Sequence, residues 1–323
     1  MKQFARILYF AAAPCGQAQA MARAVSLAEN NQAELTVLDV VPAVPTAVGR
    51  YPGGPEPGRL QEALVDGRRR ELEALVEPHR QRGIRVQVRV GRSHIEVIRA
   101  VIDDGYDLLV KPAENPDVVD RLFGSTDMHL LRKCPCPVWL TRPDERSNYA
   151  SVLAAVDFDP DERSAADEAG LNRQIGAIAG TLAMSDFAQL HIVHVWDALG
   201  ETMVRSWANE PEEAAMRYAE GERMRHESAL SRFGDQLRAL LGAEAYDHLA
   251  PRFHLRKGSA SAVIPALAKE LQADLLVMGT LARTGIAGLF IGNTAENILE
   301  QVQCSVLAVK PPGFVSPVTA AER

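Results

Sequence analysis

Short apolar runs alternate along this chain with longer stretches whose apolar residues recur at helical spacing, the pattern of strands and amphipathic helices taken in turn. In the second half Val152 to Val156 reads as a strand, Leu171, Ile175, Ile178 and Leu182 line one face of a helix, and Leu190 to Val195 reads as the next strand. A long polar helix follows, then a strand around Phe253 to Leu255, a helix with Val263, Leu267 and Leu271 aligned, and a strand from Leu275 to Met278. These strands are apolar at successive positions, which suits a parallel sheet covered by helices on both faces. The expected fold is α/β and doubly wound with right-handed crossovers, and ligands in such sheets sit beyond the carboxyl ends of the strands.

The pattern occurs twice. YDLLVKP at Tyr106 to Pro112 matches ADLLVMG at Ala273 to Gly279, and FGSTDMHLLRKCPCPVWLTRP from Phe123 matches IGNTAENILEQVQCSVLAVKP from Ile291. At 323 residues the chain exceeds one ordinary core, and the repeat is too long for a solenoid, so it reads as a duplicated domain. The polar segment Arg142 to Tyr149 marks the junction, with units expected at 1–143 and 150–323. Two segments break the regularity. Ala43 to Gly58, crowded with proline and glycine, is expected as a mobile surface loop; Glu201 to Gly242 is charged but carries Leu230, Phe233, Leu237 and Leu240 in one stripe, expected to pack a helix on its own half.

Candidate chemistry gathers in the second half. The strand ending at Met278 runs into Gly279, and Gly292, Asn293 and Thr294 stand where the next helix begins, so bare amide groups can converge on an anion. Asp157 ends the first strand of that half. On its own it reads as the start of a turn or the cap of the next helix, and Asn293 and Thr294 read also as ordinary helix-start residues, Asn293 able to cap. The first half carries Ala11 in place of Asp157, and Lys111, Pro112 and Glu114 in or near the glycine positions, ahead of Gly124, Ser125 and Thr126. Proline lacks an amide donor and a glutamate repels phosphate, so this half is expected to bind no ATP and to serve structure or another ligand.

This order of residues resembles the nucleotide loop of the universal stress protein family, Gly-x2-Gly-x9-Gly-(Ser/Thr). Ala282 replaces the second glycine and Asn293 replaces the Ser/Thr. The likeness spans both halves and is sharpest at GNTAE from Gly292 and GSTDMHLLRKCPCPVW from Gly124. The resemblance implies two tandem Rossmann-like domains of five parallel strands, packed as an intramolecular pseudo-dimer about a pseudo-twofold axis, with further oligomerisation left open. It also implies ATP as the cofactor of the second domain: Asp157 would hold the adenosine end, Met278 and Gly279 would line the base and first phosphate, Gly292, Asn293 and Thr294 would surround the later phosphates, and Arg283 would supply a cation. The methyl group of Ala282 penalises left-handed backbone and narrows the approach, so weaker binding is expected. Two functions stand: a non-catalytic cytoplasmic stress-response protein that senses a small-molecule ligand or an interacting partner, and an ATP-binding protein that hydrolyses slowly in its second half.

Composition and missing motifs remove other classes. A net charge of −7 and pI near 5.7 leave no broad basic surface, which argues against direct nucleic-acid binding. No run approaches the ~18 apolar residues of a membrane span, and the start MKQFARILYFAAAP repeats the strand-then-proline pattern of Val152 to Pro160, so it reads as a strand and not a secretory leader. Neither Gly-x-Ser-x-Gly nor Gly-x4-Gly-Lys-(Ser/Thr) occurs, nor the His-Ile-Gly-His and Ser-Gly-Gly signatures of adenylating relatives, and no catalytic residue is assigned. Cys15, Cys134, Cys136 and Cys304 lack zinc spacing and fit a reducing compartment. His191 and His194 point to opposite faces of one strand, a poor metal pair, while His129 and His254 read as lone structural histidines.

Overall fold

The computed structural model describes residues 3–11, 17–50, 56–114, 123–143, 146, 148–158, 165–280 and 292–320. The first half runs β1 (Arg6–Phe10), α1 (Gln17–Asn31), β2 (Glu34–Val41), α2 (Pro57–Val76), β3 (Arg85–Val90), α3 (Ser93–Asp104), β4 (Leu108–Pro112), α4 (Ser125–Lys133) and β5 (Val138–Thr141). The second repeats that order with additions: β6 (Ser151–Val156), α5 (Ala165–Asp186), β7 (Gln189–Trp196), α6 (Glu201–Trp207), α7 (Pro211–Leu241), α8 (Ala243–Leu249), β8 (Arg252–Lys257), α9 (Ala260–Glu270), β9 (Leu275–Gly279), α10 (Asn293–Gln301) and β10 (Ser305–Val309).

Within each half all five strands are parallel, in the orders β3-β2-β1-β4-β5 and β8-β7-β6-β9-β10. This is the expected doubly wound α/β architecture. One core packs α1, α2, α5 and α7 on the first face and a second core packs α3, α4, α9 and α10 on the other. The strands are buried on both sides, which is why they read as unbroken apolar runs. The junction adds a feature beyond two five-stranded sheets: β5 and β10 pair antiparallel, Leu140 with Val306 and Trp139 with Leu307, into a single ten-stranded sheet. Each edge strand would otherwise present unpaired amides and carbonyls, and equivalent edges brought together by a twofold relation must run in opposite directions.

Outside the sheet, α7 lays Leu230, Phe233, Leu237 and Leu241 against its own half. Leu240, partly buried, packs against the same core as expected, and Leu241 extends the stripe by one position. Gly176 and Gly180 of α5 form the notch it fills: a Cβ at Gly176 would stand 3.0 Å from Leu237 Cδ1, and one at Gly180 2.8 Å from Leu241 Cδ1. The expected loop from Ala43 to Gly58 is shorter than its composition suggests. Residues Thr46–Arg50 form a 3-10 turn, 51–55 lie outside the described residues, and α2 already starts at Pro57, whose fixed φ suits a first helical turn. Gln61 of α2 accepts the Val44 amide at 2.8 Å, tying the segment down.

Candidate functional site

The carboxyl ends of β6 and β9 lie side by side, Ala155 beside Met278, so the chain leaves the sheet at Asp157 and at Gly279 on one edge. A cavity of about 430 Å³ opens there. Of the eight residues singled out from the sequence, Asp157, Met278, Gly279, Gly292, Asn293 and Thr294 line it together. Ala282 and Arg283 lie outside the described residues. Ile175, Ile264 and Ile298 give the cavity an apolar side.

Each wall has a local cause. At Gly279 a Cβ would come 2.9 Å from Leu171 Cδ2, so the glycine lets α5 lie close over the strand end. The Gly292 amide donates to Thr280 O at 3.1 Å, closing the base of the segment between them. Gly292 is the N-cap of α10 in extended conformation, and among the described residues no side chain caps that helix. The expected capping role of Asn293 is thereby corrected: Asn293 is the first helical residue, because the glycine takes the cap position. Such an end favours an anion through its free N–H groups and the helix dipole.

Asp157 is exposed at the rim, and its main chain is fixed by a residue the sequence reading missed. Asn172 of α5, buried, accepts the Asp157 amide at Oδ1 (3.1 Å) and donates from Nδ2 to the Asp157 carbonyl (2.6 Å). The available signal was an amide side chain standing between Leu171 and Ile175 on an apolar face. Behind Thr280, the fully enclosed Lys310 donates to Thr280 Oγ1 (2.7 Å) and, across the junction, to the Leu131 carbonyl of α4 (2.5 Å). Burial pushes its ammonium down to about 8.

The corresponding cleft of the first half is arranged differently. Arg68 of α2 reaches across it to donate to the Ala11 carbonyl at 2.7 Å and pairs with Asp39 and Glu71. Lys111 and Asp127 form a fully buried ion pair at 2.7 Å. Burial raises the Asp127 carboxyl above its usual value, against the opposing pull of Lys111 and the Glu114 amide.

The histidines are paired, which corrects the lone reading of two of them. His254 meets His191 ring to ring at 2.9 Å, His129 stacks on His94 with centroids 4.2 Å apart, and His194 meets His226 of α7 at 2.8 Å. His191 and His194 face opposite sides of β7, each with its own partner from a neighbouring element that sequence spacing could not bring near. Among the described residues no group of three or more His, Cys, Asp or Glu could hold a metal ion. Cys134 and Cys136 are buried and unbridged with sulfurs 3.5 Å apart, and burial pushes the Cys136 thiol well up. Among the described residues no helix is long and apolar enough to cross a membrane.

Residues 4–142 and again 148–310 match the model of the Universal stress protein family. Universal stress protein E of Escherichia coli (strain K12) is 29% identical over 263 residues, covering 80% of this chain and 79% of that protein. The Universal stress protein E of Photorhabdus laumondii subsp. laumondii is 27% identical over 315 residues, 94% of each. In fold, the chain resembles the functionally unknown protein PA1789 from Pseudomonas aeruginosa PAO1, with a TM-score of 0.68 over 97% of this chain and 95% of that one at 24% identity.

Proposed function

The chain belongs to the universal stress protein family, and from that premise we propose that it is a non-catalytic stress-response protein whose second half, residues 150–323, senses an adenine nucleotide. One observation carries the reading: six residues scattered over Asp157 to Thr294 in the sequence line a single cavity at the carboxyl edge of the sheet. Asp157 supplies an acceptor for the hydroxyls or amine of the adenosine end, the amides of α10 receive the phosphates, and Met278 with Ile264 covers the base. The lining combines a carboxylate, amides and apolar side chains, a set that binds and orients a ligand, which supports sensing without turnover. Buried unbridged thiols at Cys134, Cys136 and Cys304 fit a reducing, cytoplasmic setting, and the net charge of −7 fits a small-molecule or protein partner better than a nucleic acid.

Calorimetric titration of the full chain with ATP tests the proposal. One ATP per chain is expected. Asp157→Ala should weaken it about tenfold, roughly the 1.4 kcal/mol of a single hydrogen bond to a charged acceptor. Ala282→Gly should tighten it. Two ATP molecules per chain would contradict the assignment to the second half; no binding at millimolar ATP would reject a nucleotide and leave another small ligand. Phosphate release that disappears with Asp157→Ala would replace sensing by slow hydrolysis.

A further inference from the structure

The amino end of α4 is the first half's counterpart of the α10 end, by the match of residues 123–143 with 291–311. In the first half that end is occupied. The Thr126 amide donates to Glu114 Oε2 at 3.2 Å, and the other Glu114 oxygen stands 3.6 Å from Lys111 Nζ. The amides of Glu114 and Gly124 both donate to Asp127 Oδ2 at 2.9 Å, while Asp127 Oδ1 accepts from Lys111. Gly124 admits the glutamate: a Cβ there would stand 2.7 Å from the Glu114 Cβ. At the other end of the cleft, Arg68 and Gln17 both donate to the carbonyl of Ala11, the residue matching Asp157.

We propose that the first half holds its own anion: the Glu114 carboxylate occupies, in cis, the slot that the amino end of α4 offers to a phosphate. The half is closed to nucleotide because its slot is filled, with the fold intact. A helix start with free amides attracts negative charge, and a carboxylate tethered two residues beyond β4 competes at a local concentration in the millimolar range or above, so free phosphate does not displace it. Removing that carboxylate leaves the Lys111–Asp127 pair electrically balanced and the Thr126 amide without its acceptor, the state in which an external anion can enter. This inference stands whether or not the second half takes nucleotide.

The test compares thermal unfolding of the full native chain with Glu114→Ala and Glu114→Gln, in sodium phosphate and in sodium chloride of equal ionic strength. In chloride both variants should melt about 1–2 °C below the native chain, the shift of a lost helix-end contact in a chain of 323 residues. In phosphate, Glu114→Ala should recover most of that difference, and Glu114→Gln, whose neutral amide still fills the slot, should recover less. Any effect of phosphate on the second half is common to all three proteins and cancels in the comparison. Equal melting of native and alanine forms in chloride, or an equal gain of both in phosphate, would overturn the proposal. Should the alanine form not fold, the isosteric glutamine form decides alone by its loss in chloride.

Discussion

Lys310 should make this protein more stable as pH rises, against the usual behaviour of a lysine. The residue is 3% exposed, and its ammonium donates to Leu131 O and Thr280 Oγ1, lies 5.1 Å from the centre of the Phe314 ring, and among the described residues pairs with no carboxylate. Burial lowers it from 10.5 in the open chain to about 8. Below pH 8 the group is charged in both states, and the folded state bears the full cost of the buried charge. Between 8 and 10.5 the unfolded chain binds the proton more strongly, so unfolding takes up protons and stability climbs. The difference of 10.5 − 8, about 2.5, multiplied by about 1.36 kcal/mol per pKa unit, gives roughly 3 kcal/mol over that window. Lys310→Met keeps the length of the side chain and removes the titration. At pH 7 its lost hydrogen bonds, about 1–3 kcal/mol for each acceptor left bare, largely offset the relieved burial, so the slope is diagnostic where the absolute stability is not. Urea unfolding of both proteins from pH 7 to 10.5 reads that slope, other titrating groups cancelling in the difference. Parallel pH profiles would refute the reasoning.

Two further outcomes follow from the packing and the histidines. Leu237→Ala empties the α5 notch beneath a residue that is 1% exposed, and should cost about 2–5 kcal/mol by denaturant titration, with no change in ligand stoichiometry. His191, lowered by burial to about 4 and bonded to His254, binds its proton more weakly in the fold than in the open chain; stability should therefore fall as pH drops from 6.5 towards 4, and His191→Phe should flatten that acid limb.

The elements legible in the sequence were those with a local signature. Buried parallel strands such as Leu275–Gly279 must be apolar throughout, α5 must carry its stripe, and a strand followed by Gly279 and later by Gly292 marks a loop closing on a helix start. What escaped depends on partners distant along the chain. Nothing in VWLT or SVLAV announces that β5 and β10 meet antiparallel, since edge pairing is decided by how the halves dock. Asn172 is visible as a polar residue on an apolar face, but its acceptor and donor lie on the Asp157 main chain; Arg68 likewise finds the Ala11 carbonyl 57 residues away. The cap of α10 fell to Gly292 because its extended backbone leaves Asn293 already inside the helix.

The two halves, similar in fold, are tied to each other by side chains at their junction. α4 is held at its amino end by Glu114 and Asp127, and towards its other end the Leu131 carbonyl is gripped by Lys310, which also holds Thr280 just beyond β9. The next residue, Arg132, pairs at 2.5 Å with Glu296 in the first turn of α10. Across the same junction Arg142, just after β5, donates to the Gln303 carbonyl, and its amide donates to Ser305 Oγ at 3.0 Å. Of the two ties nearest the cavity, Lys310 is enclosed and its loss would strand two buried acceptors, whereas Arg132 and Glu296 are each about a third exposed and such a pair is worth only about 0–1 kcal/mol. Any displacement of α10 should accordingly break the Arg132–Glu296 pair before the Lys310 clasp.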